Sequence, residues 1–201
     1  MAPRRRQGAG SFRGPRQTGV RRRCARQVVG HRHSPKHFVQ GGTPTRHRTG
    51  EGWVYCAAVI DVYSRRCVGW SIADHLRTEL VIDAIDMARW RRKPPPGTVV
   101  HSDRGTQFTS WLFGNRLREA GLMGSMGKVA CAYDNSLMES FFGSMQIELL
   151  DRTTWSTRAE LANGIFEWIE AFYNPTRRHS SLDYLSPIDF ETLHTTADQA
   201  A

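Results

Sequence analysis

The chain has 201 residues with Lys+Arg 28 and Asp+Glu 19, so its formal net charge is +9. This length allows one domain with a tail or two small domains, and a hydrophobic content of 39% excludes a wholly disordered protein. No apolar run approaches the ~18 residues of a membrane-spanning helix, and no secretory signal is recognisable. Four cysteines without C-x-x-C spacing indicate neither a disulfide framework nor a zinc site and fit a reducing cytoplasm.

The positive charge is concentrated at the start of the chain. Residues 1–50 contain 12 Arg, one Lys and no Asp or Glu, a net charge of +13, which leaves −4 for the rest. Few apolar residues lie in this segment, so we predict a disordered basic stretch over residues 1–46. Two interpretations stay open: an arm that neutralises nucleic-acid phosphates, or the Arg-, Gly- and Pro-rich product of a GC-rich gene read out of frame.

Ordered structure is expected to begin near Gly52 with a β-hairpin. The run 53–60 is apolar and of strand length, Asp61 ends it, and the segment 67–72 returns. The tryptophans of these runs and of the last long helix are predicted to be core residues: Trp53, Trp70 and Trp168.

Strands and helices alternate along the rest of the chain, which predicts a mixed α/β domain. Helix starts and stops follow from cap residues, glycines and prolines. The predicted elements are a helix from an N-cap at Thr78 to about Arg92, a strand at 98–101, a helix at 110–120 closed by Gly121, a short strand at 122–126, and helices at about 135–150 and 157–173.

Asp103 follows the short apolar strand at 98–101 in the sequence H-S-D-R-G-T-Q. An acidic residue at the carboxyl end of such a strand points into the crevice where α/β proteins bind ligands. The alternative is an aspartate that closes a strand with a local turn.

Glu139 lies near the start of the next long helix. It could simply complement the helix dipole, yet the helix has two distinct faces. Gly143 costs about 1 kcal/mol relative to Ala in a helix, which indicates either a groove that admits another backbone or tight helix packing. The apolar stripe is Leu137, Phe141, Met145 and Leu149, and the polar stripe is Asn135, Glu139, Gly143 and Gln146.

These two carboxylates are separated by 35 residues. Mg²⁺ prefers oxygen ligands and often takes one or two carboxylates. A pair of such ions can hold the attacking and leaving oxygens of a phosphoryl transfer. Asp103 and Glu139 are therefore candidate metal ligands.

The motifs H-S-D-R-G-x-Q-F and D-N-x-x-x-E-S-F-F-G-S resemble those around the last two acidic residues of the DDE transposase and retroviral-integrase superfamily, in particular the integrase core of bacterial insertion-sequence transposases. Segments 59–66, 173–182 and 185–190 also resemble it, in the same order. The resemblance covers residues 47–192, with a tail at 193–201.

The resemblance implies a ribonuclease-H-like mixed β-sheet flanked by helices. It also implies catalysis by Asp103 and Glu139 with Mg²⁺ or Mn²⁺, and strand transfer by a 3′-hydroxyl at a DNA phosphodiester. The expected partners are transposon-end and target DNA and further copies of the chain, in a bacterial cytoplasm and without a membrane. The expected DNA contacts are Arg104, Asn135, Gln146, Arg177, Arg178 and His179, although the cluster at 177–179 could equally be a solvated helix end.

The chain departs from the superfamily at its first acidic residue. Counting back about 60 residues from Asp103 lands near Thr43, and no acid occurs there. We hypothesise a frameshift or a misplaced start upstream of His47 and expect little or no strand transfer. Asp61 is the nearest substitute ligand and Glu51 is less favoured. The rival functions are a non-enzymatic basic nucleic-acid-binding protein and a nuclease on the same fold.

Overall fold

A continuous apolar run forms the longest strand. β3 covers Gly52–Asp61, and its second half is buried because helices cover both faces of the sheet there. The structure is a computed structural model that describes residues 37–40, 44–102, 107–125 and 132–199. The strands are β1 (His37–Gln40), β2 (Thr45–Thr49), β3 (Gly52–Asp61), β4 (Cys67–Ala73), β5 (Val99–His101) and β6 (Met123–Ser125).

Five α-helices and three shorter helical segments accompany these strands in the described ranges. The α-helices are α1 (Thr78–Arg92), α2 (Trp111–Glu119), α3 (Ala132–Glu148), α4 (Arg158–Glu167) and α5 (Pro187–Gln199). The shorter segments are the 3-10 helices Leu150–Arg152 and Ser180–Leu182 and the π-helix Trp168–Tyr173. No helix of the described ranges is long and apolar enough to cross a membrane.

The sheet is mixed, and β1 and β2 share one edge of β3. β4 pairs antiparallel with the other edge, whereas β1 continues through parallel pairing to β5 and β6. Between the paired residues Gln40 and Thr45 lie four residues, but their partners Val59 and Cys56 enclose only two. β1 and β2 thus pair along the same edge of β3 with a change of register between them.

The expected start of order near Gly52 is wrong, because β1 and β2 lie upstream of it. Both strands begin within residues 1–46, the range predicted to be disordered. Four- and five-residue strands carry too short a pattern to be recognised, and non-local pairing with β3 stabilises them. The predicted disorder of residues 1–36 lies outside the described ranges.

Each face of the sheet has its own hydrophobic core. Side chains of a strand alternate between faces, so Ala58 and Ile60 join one cluster while Ala57 and Val59 join the other. The first cluster includes buried residues of α3, α4 and the π-helix, and the second includes those of α1 and α2. At Gly69 a Cβ atom would lie 2.1 Å from the carbonyl oxygen of Ala84, so β4 packs directly on the backbone of α1.

Two of the predicted helix starts are confirmed. Ser110 Oγ accepts a hydrogen bond from the Phe113 N–H (3.2 Å), and Thr157 Oγ1 accepts one from the Glu160 N–H (3.1 Å). The expected cap at Thr78 is wrong, since the preceding Arg77 occupies the cap position without a side-chain hydrogen bond.

The amide side chain of Asn174 bonds the C-terminal part of the fold to the β3–β4 hairpin. Asn174 directly follows the π-helix, and its Oδ1 accepts the N–H of Cys67 (2.9 Å). Its Nδ2 donates to the Cys67 carbonyl oxygen (3.0 Å). The same side chain thereby satisfies both backbone groups of one residue on β4.

Candidate active site

Glu139 is presented at the surface by a helix that is anchored on both sides of it. Leu137, Met138 and Phe141 are buried in the first core cluster, whereas Glu139 is exposed. α3 also contacts β1. Among the described residues the Glu139 carboxylate has neither a hydrogen bond nor an ion pair, so its oxygens can accept an external partner.

The strand that precedes Asp103 lies inside the sheet. β5 pairs with β1 on one side and β6 on the other, and its last residue, His101, is level with Val39 and Ser125. The Ser102 N–H donates to the Ser125 carbonyl oxygen (3.3 Å). Asp103, Arg104 and Thr43 lie outside the described ranges. Because β1 and β5 are parallel, their carboxyl ends meet at the same edge of the sheet.

The polar stripe of α3 is partly open and partly engaged. A Cβ atom at Gly143 would meet no atom within 4 Å, so tight helix packing does not account for this glycine. Gln146, a predicted DNA contact, donates its Nε2 hydrogen to the Asp151 carboxylate and is therefore bound within the chain. Asn135 lies in α3, but the structure does not describe its side chain.

Asp61 does not join Glu139. Its Oδ1 accepts the backbone N–H of Tyr63 (2.9 Å), and its Oδ2 accepts Nη2 of Arg92 (2.9 Å), which lies on α1. α1 covers the second core cluster, whereas α3 packs on the opposite face of the sheet. Burial disfavours the charged form of Arg92, but the carboxylates of Glu191 and Asp61 outweigh it and raise the pKa of this guanidinium. This geometry argues against Asp61 as the substitute metal ligand.

Glu51 is also engaged elsewhere. Its carboxylate accepts the backbone N–H of Arg158 (2.9 Å), the first residue of α4. Anionic groups at this end of a helix are favoured by the helix dipole. No group of three or more His, Cys, Asp or Glu side chains that could hold a metal ion occurs in the part of the chain that the structure describes.

Arg177 fastens the chain after the π-helix to α3. Its Nε donates to both carboxylate oxygens of Glu148 (2.9 and 3.0 Å), and its Nη2 donates to Ser144 Oγ (2.9 Å). Ser144 and Glu148 are one turn apart on α3, so one guanidinium contacts two successive turns. These bonds account for Arg177 without a DNA contact.

His179 and Arg178 have opposite surroundings. Burial, together with the positive charges of Arg177 and Arg65, lowers the pKa of His179 from 6.5 to about 4. Its ring also lies edge-on to Tyr173, with centroids 5.2 Å apart. A neutral, half-buried imidazole is a poor phosphate ligand, whereas Arg178 is exposed.

Two overlapping family models, both described as integrase core domain, match residues 32–130 and 121–187. The chain belongs to the integrase core domain family. The family match starts upstream of residue 47, where the resemblance was expected to begin, and it includes β1 and β2.

Curated relatives of this integrase core domain are transposases. The transposase for insertion sequence element IS904 of Lactococcus lactis subsp. lactis (strain IL1403) is 43% identical over 154 residues, which are 77% of this chain and 61% of the relative. Transposase InsF for insertion sequence IS3A of Escherichia coli (strain K12) is 43% identical over 150 residues, 75% of this chain and 52% of the relative. The chain thus spans between half and two thirds of these relatives.

The fold agrees with solved integrase cores. The HTLV-2 integrase catalytic core domain in complex with magnesium superposes with a TM-score of 0.56 at 15% identity, covering 78% of this chain and 96% of that chain. The expected ribonuclease-H-like mixed sheet flanked by helices is confirmed. The sequence analysis did not identify the ion pair between Glu148 and Arg177, which bonds the end of α3 to the C-terminal segment, because 29 residues separate the two partners.

Proposed function

We propose that this chain is the catalytic core of a bacterial insertion-sequence transposase that transfers DNA strands by metal-dependent phosphoryl transfer in the cytoplasm. Asp103 and Glu139 are the catalytic carboxylates in this proposal. The observation that carries it is the contrast within α3, where Glu139 is exposed and bound by no described residue while its neighbours Met138 and Phe141 are buried. The transposase relatives support the reaction class.

The donor chemistry around Glu139 suits Mg²⁺ or Mn²⁺. Both are hard cations that prefer carboxylate oxygens, and Glu139 offers two such oxygens that no described residue occupies. The metal, when bound by Asp103 and Glu139, supplies charge stabilisation at the phosphodiester oxygens. The open space at Gly143, one turn from Glu139, supports the approach of a DNA backbone on this side of α3.

We further propose that strand transfer is impaired. The resemblance implies an acidic residue near position 43, where the chain has Thr43. Asp61 and Glu51 are each bound to other groups and do not replace it. A site with two carboxylates instead of three holds a divalent cation more weakly, because fewer negative charges offset the loss of the cation's hydration.

DNA contacts are proposed for the exposed Arg178 and for Arg104 and Asn135. The partners are transposon-end and target DNA, on which the chain acts as a homo-oligomer. Gln146, Arg177 and His179 are not carried forward, since each is engaged inside the fold or uncharged.

The metal site is tested by calorimetric titration of the full chain with Mn²⁺. We expect weak binding that Glu139→Gln and Asp103→Asn each abolish. The matched control is Glu167→Gln, which removes another exposed carboxylate, from α4, and leaves binding unchanged. Equal Mn²⁺ binding by the unmodified chain and both site variants would reject the site.

Impairment is tested by restoring the missing acid. Thr43→Asp is expected to tighten Mn²⁺ binding by about tenfold or more, since even outer-shell partners of metal sites contribute that much. It should also raise strand transfer on DNA that carries the element's end sequence, whereas Thr43→Asn should do neither. Mg²⁺-dependent cleavage by the unmodified chain that is lost in Asp103→Ala would overturn the proposed impairment.

A further inference from the structure

The β2–β3 hairpin presents two arginines and a tryptophan on one face. Arg46 lies opposite Tyr55 and Arg48 opposite Trp53, and directly opposed residues of antiparallel strands point to the same side. Both arginines are exposed, and Trp53 is 42% exposed. The predicted burial of Trp53 is therefore wrong. Arg46 Cζ lies 5.0 Å from the Trp53 ring centroid.

The two guanidiniums are available to an external anion. Within the described ranges neither Arg46 nor Arg48 has a carboxylate partner, whereas Arg92, Arg116 and Arg177 each bind at least one carboxylate. Both arginines belong to the basic segment of residues 1–50, and β2 holds them in an ordered strand. Of the strands described, β2 pairs with β3 alone, so no described strand covers its outer edge.

We propose that Arg46, Arg48 and Trp53 bind an unpaired DNA strand, with phosphates at the two guanidiniums and a base on the indole. Residues two apart on a strand are separated by about 6.7 Å, which is the order of the distance between successive phosphates of a nucleic-acid strand. Guanidiniums bind phosphate oxygens in pairs of hydrogen bonds. Stacking on an aromatic ring is sequence-tolerant and favours unpaired bases, whose faces are accessible.

The choice of DNA as the polyanion rests on the proposed function, but the binding itself requires neither metal nor catalysis. The two proposals rest on different residues: Arg46, Arg48 and Trp53 lie on the hairpin, and Glu139 lies on α3. Binding in EDTA therefore tests this surface alone, while Mn²⁺ titration tests the metal site alone. Either can fail without the other.

The first experiment measures fluorescence anisotropy of a labelled oligothymidine with the full chain in EDTA, over a series of salt concentrations. Arg46→Ala with Arg48→Ala is expected to weaken binding about tenfold and to lower the salt slope by about one to two. The charge-matched control is Arg118→Ala with Arg152→Ala, two exposed arginines elsewhere on the domain, with a change below about threefold. Equal losses in the two pairs would overturn the proposal.

The second experiment separates stacking from charge. Trp53→Leu is expected to weaken binding of the oligothymidine about fivefold and to leave binding of a duplex of the same length unchanged. A loss of the same size for both ligands, or for neither, would overturn the assignment to an unpaired strand. Because all three side chains are exposed, unchanged melting temperatures are expected and confirm that each variant is folded.

Discussion

Asp61 and Glu139 are two carboxylates that the sequence analysis names as candidate metal ligands, and the structure gives them opposite surroundings. Asp61 is buried and accepts hydrogen bonds from two backbone N–H groups and from Arg92. Glu139 is exposed and has no partner among the described residues. A buried carboxylate stays charged only when it is paired, so these bonds belong to the fold. An unoccupied carboxylate on a rigid helix is free for a ligand.

The same contrast holds along α3 itself. Near its start, Glu139 is exposed and has no partner among the described residues, whereas at its end Glu148 is bound by Arg177 through both oxygens. The two glutamates thus mark an end of the helix with an exposed carboxylate and an end that is bonded to the C-terminal segment.

The largest expected effect is on the buried carboxylate. Asp61→Ala leaves Arg92 with one carboxylate instead of two and the Tyr63 N–H without its acceptor. We expect a loss of about 3 kcal/mol in the free energy of unfolding, measured by urea denaturation. Asp61→Asn keeps the acceptor and should lose less. If Asp61→Ala changes the free energy of unfolding by less than about 0.5 kcal/mol, the bonds of Asp61 do not stabilise the fold, and Asp61 is again a candidate metal ligand.

A smaller effect is expected at the fastened end of α3. Arg177→Ala removes a partly buried ion pair with Glu148 and the bond to Ser144, so we expect a loss of about 1–2 kcal/mol in the free energy of unfolding. The neighbouring exposed residue is the control: Arg178→Ala should stay within about 0.5 kcal/mol. Similar losses of unfolding free energy in Arg177→Ala and Arg178→Ala would show that the bonds of Arg177 to Glu148 and Ser144 do not stabilise the fold.

A pH dependence follows from the low pKa of His179. Burial and two nearby arginines lower it from 6.5 to about 4, so between these values the unfolded chain binds the proton and the folded chain does not. The stability due to the neutral ring is complete above pH 6.5 and is lost as the pH falls towards 4. Melting temperatures should therefore fall more steeply over this interval in the unmodified chain than in His179→Gln. Parallel profiles would contradict this.

The smallest expected effect on stability is at the free carboxylate. Glu139→Gln should change the free energy of unfolding by less than about 0.5 kcal/mol, because its side chain is exposed and binds no described residue. Urea denaturation without divalent ions provides the measurement. A loss of unfolding free energy as large as that of Asp61→Ala would show that Glu139, like Asp61, stabilises the fold.

Local patterns in the sequence predicted the parts of the fold that depend on near neighbours. The apolar stripe of α3 is confirmed by the burial of Leu137, Phe141 and Met145, and the predicted helix starts near 110 and 157 are confirmed by the capping hydrogen bonds of Ser110 and Thr157. These features need only periodicity or a polar residue beside a helix start.

Features that depend on distant partners could not be predicted in this way. The contacts of Arg92 with Asp61 and Glu191 span 31 and 99 residues, so no local pattern indicates them. Trp53 looked like a core residue because its run is apolar, yet it lies where the hairpin extends beyond the covering helices. The sequence offered Asp61 and Glu51 as substitute ligands, but no local pattern indicated that their carboxylates bind other groups of the fold.

The π-helix Trp168–Tyr173 sets the direction in which Asn174 leaves the helix. A π-turn contains one residue more than an α-turn, so this segment holds a surplus residue that an uninterrupted α4 would not need. If all six residues continued as α-helix instead, Asn174 would be rotated by about 100°, away from Cys67. Deleting one residue here would remove the surplus and leave Asn174 near its present direction, whereas deleting one from the α-helical part of α4 would turn the amide away from its partner.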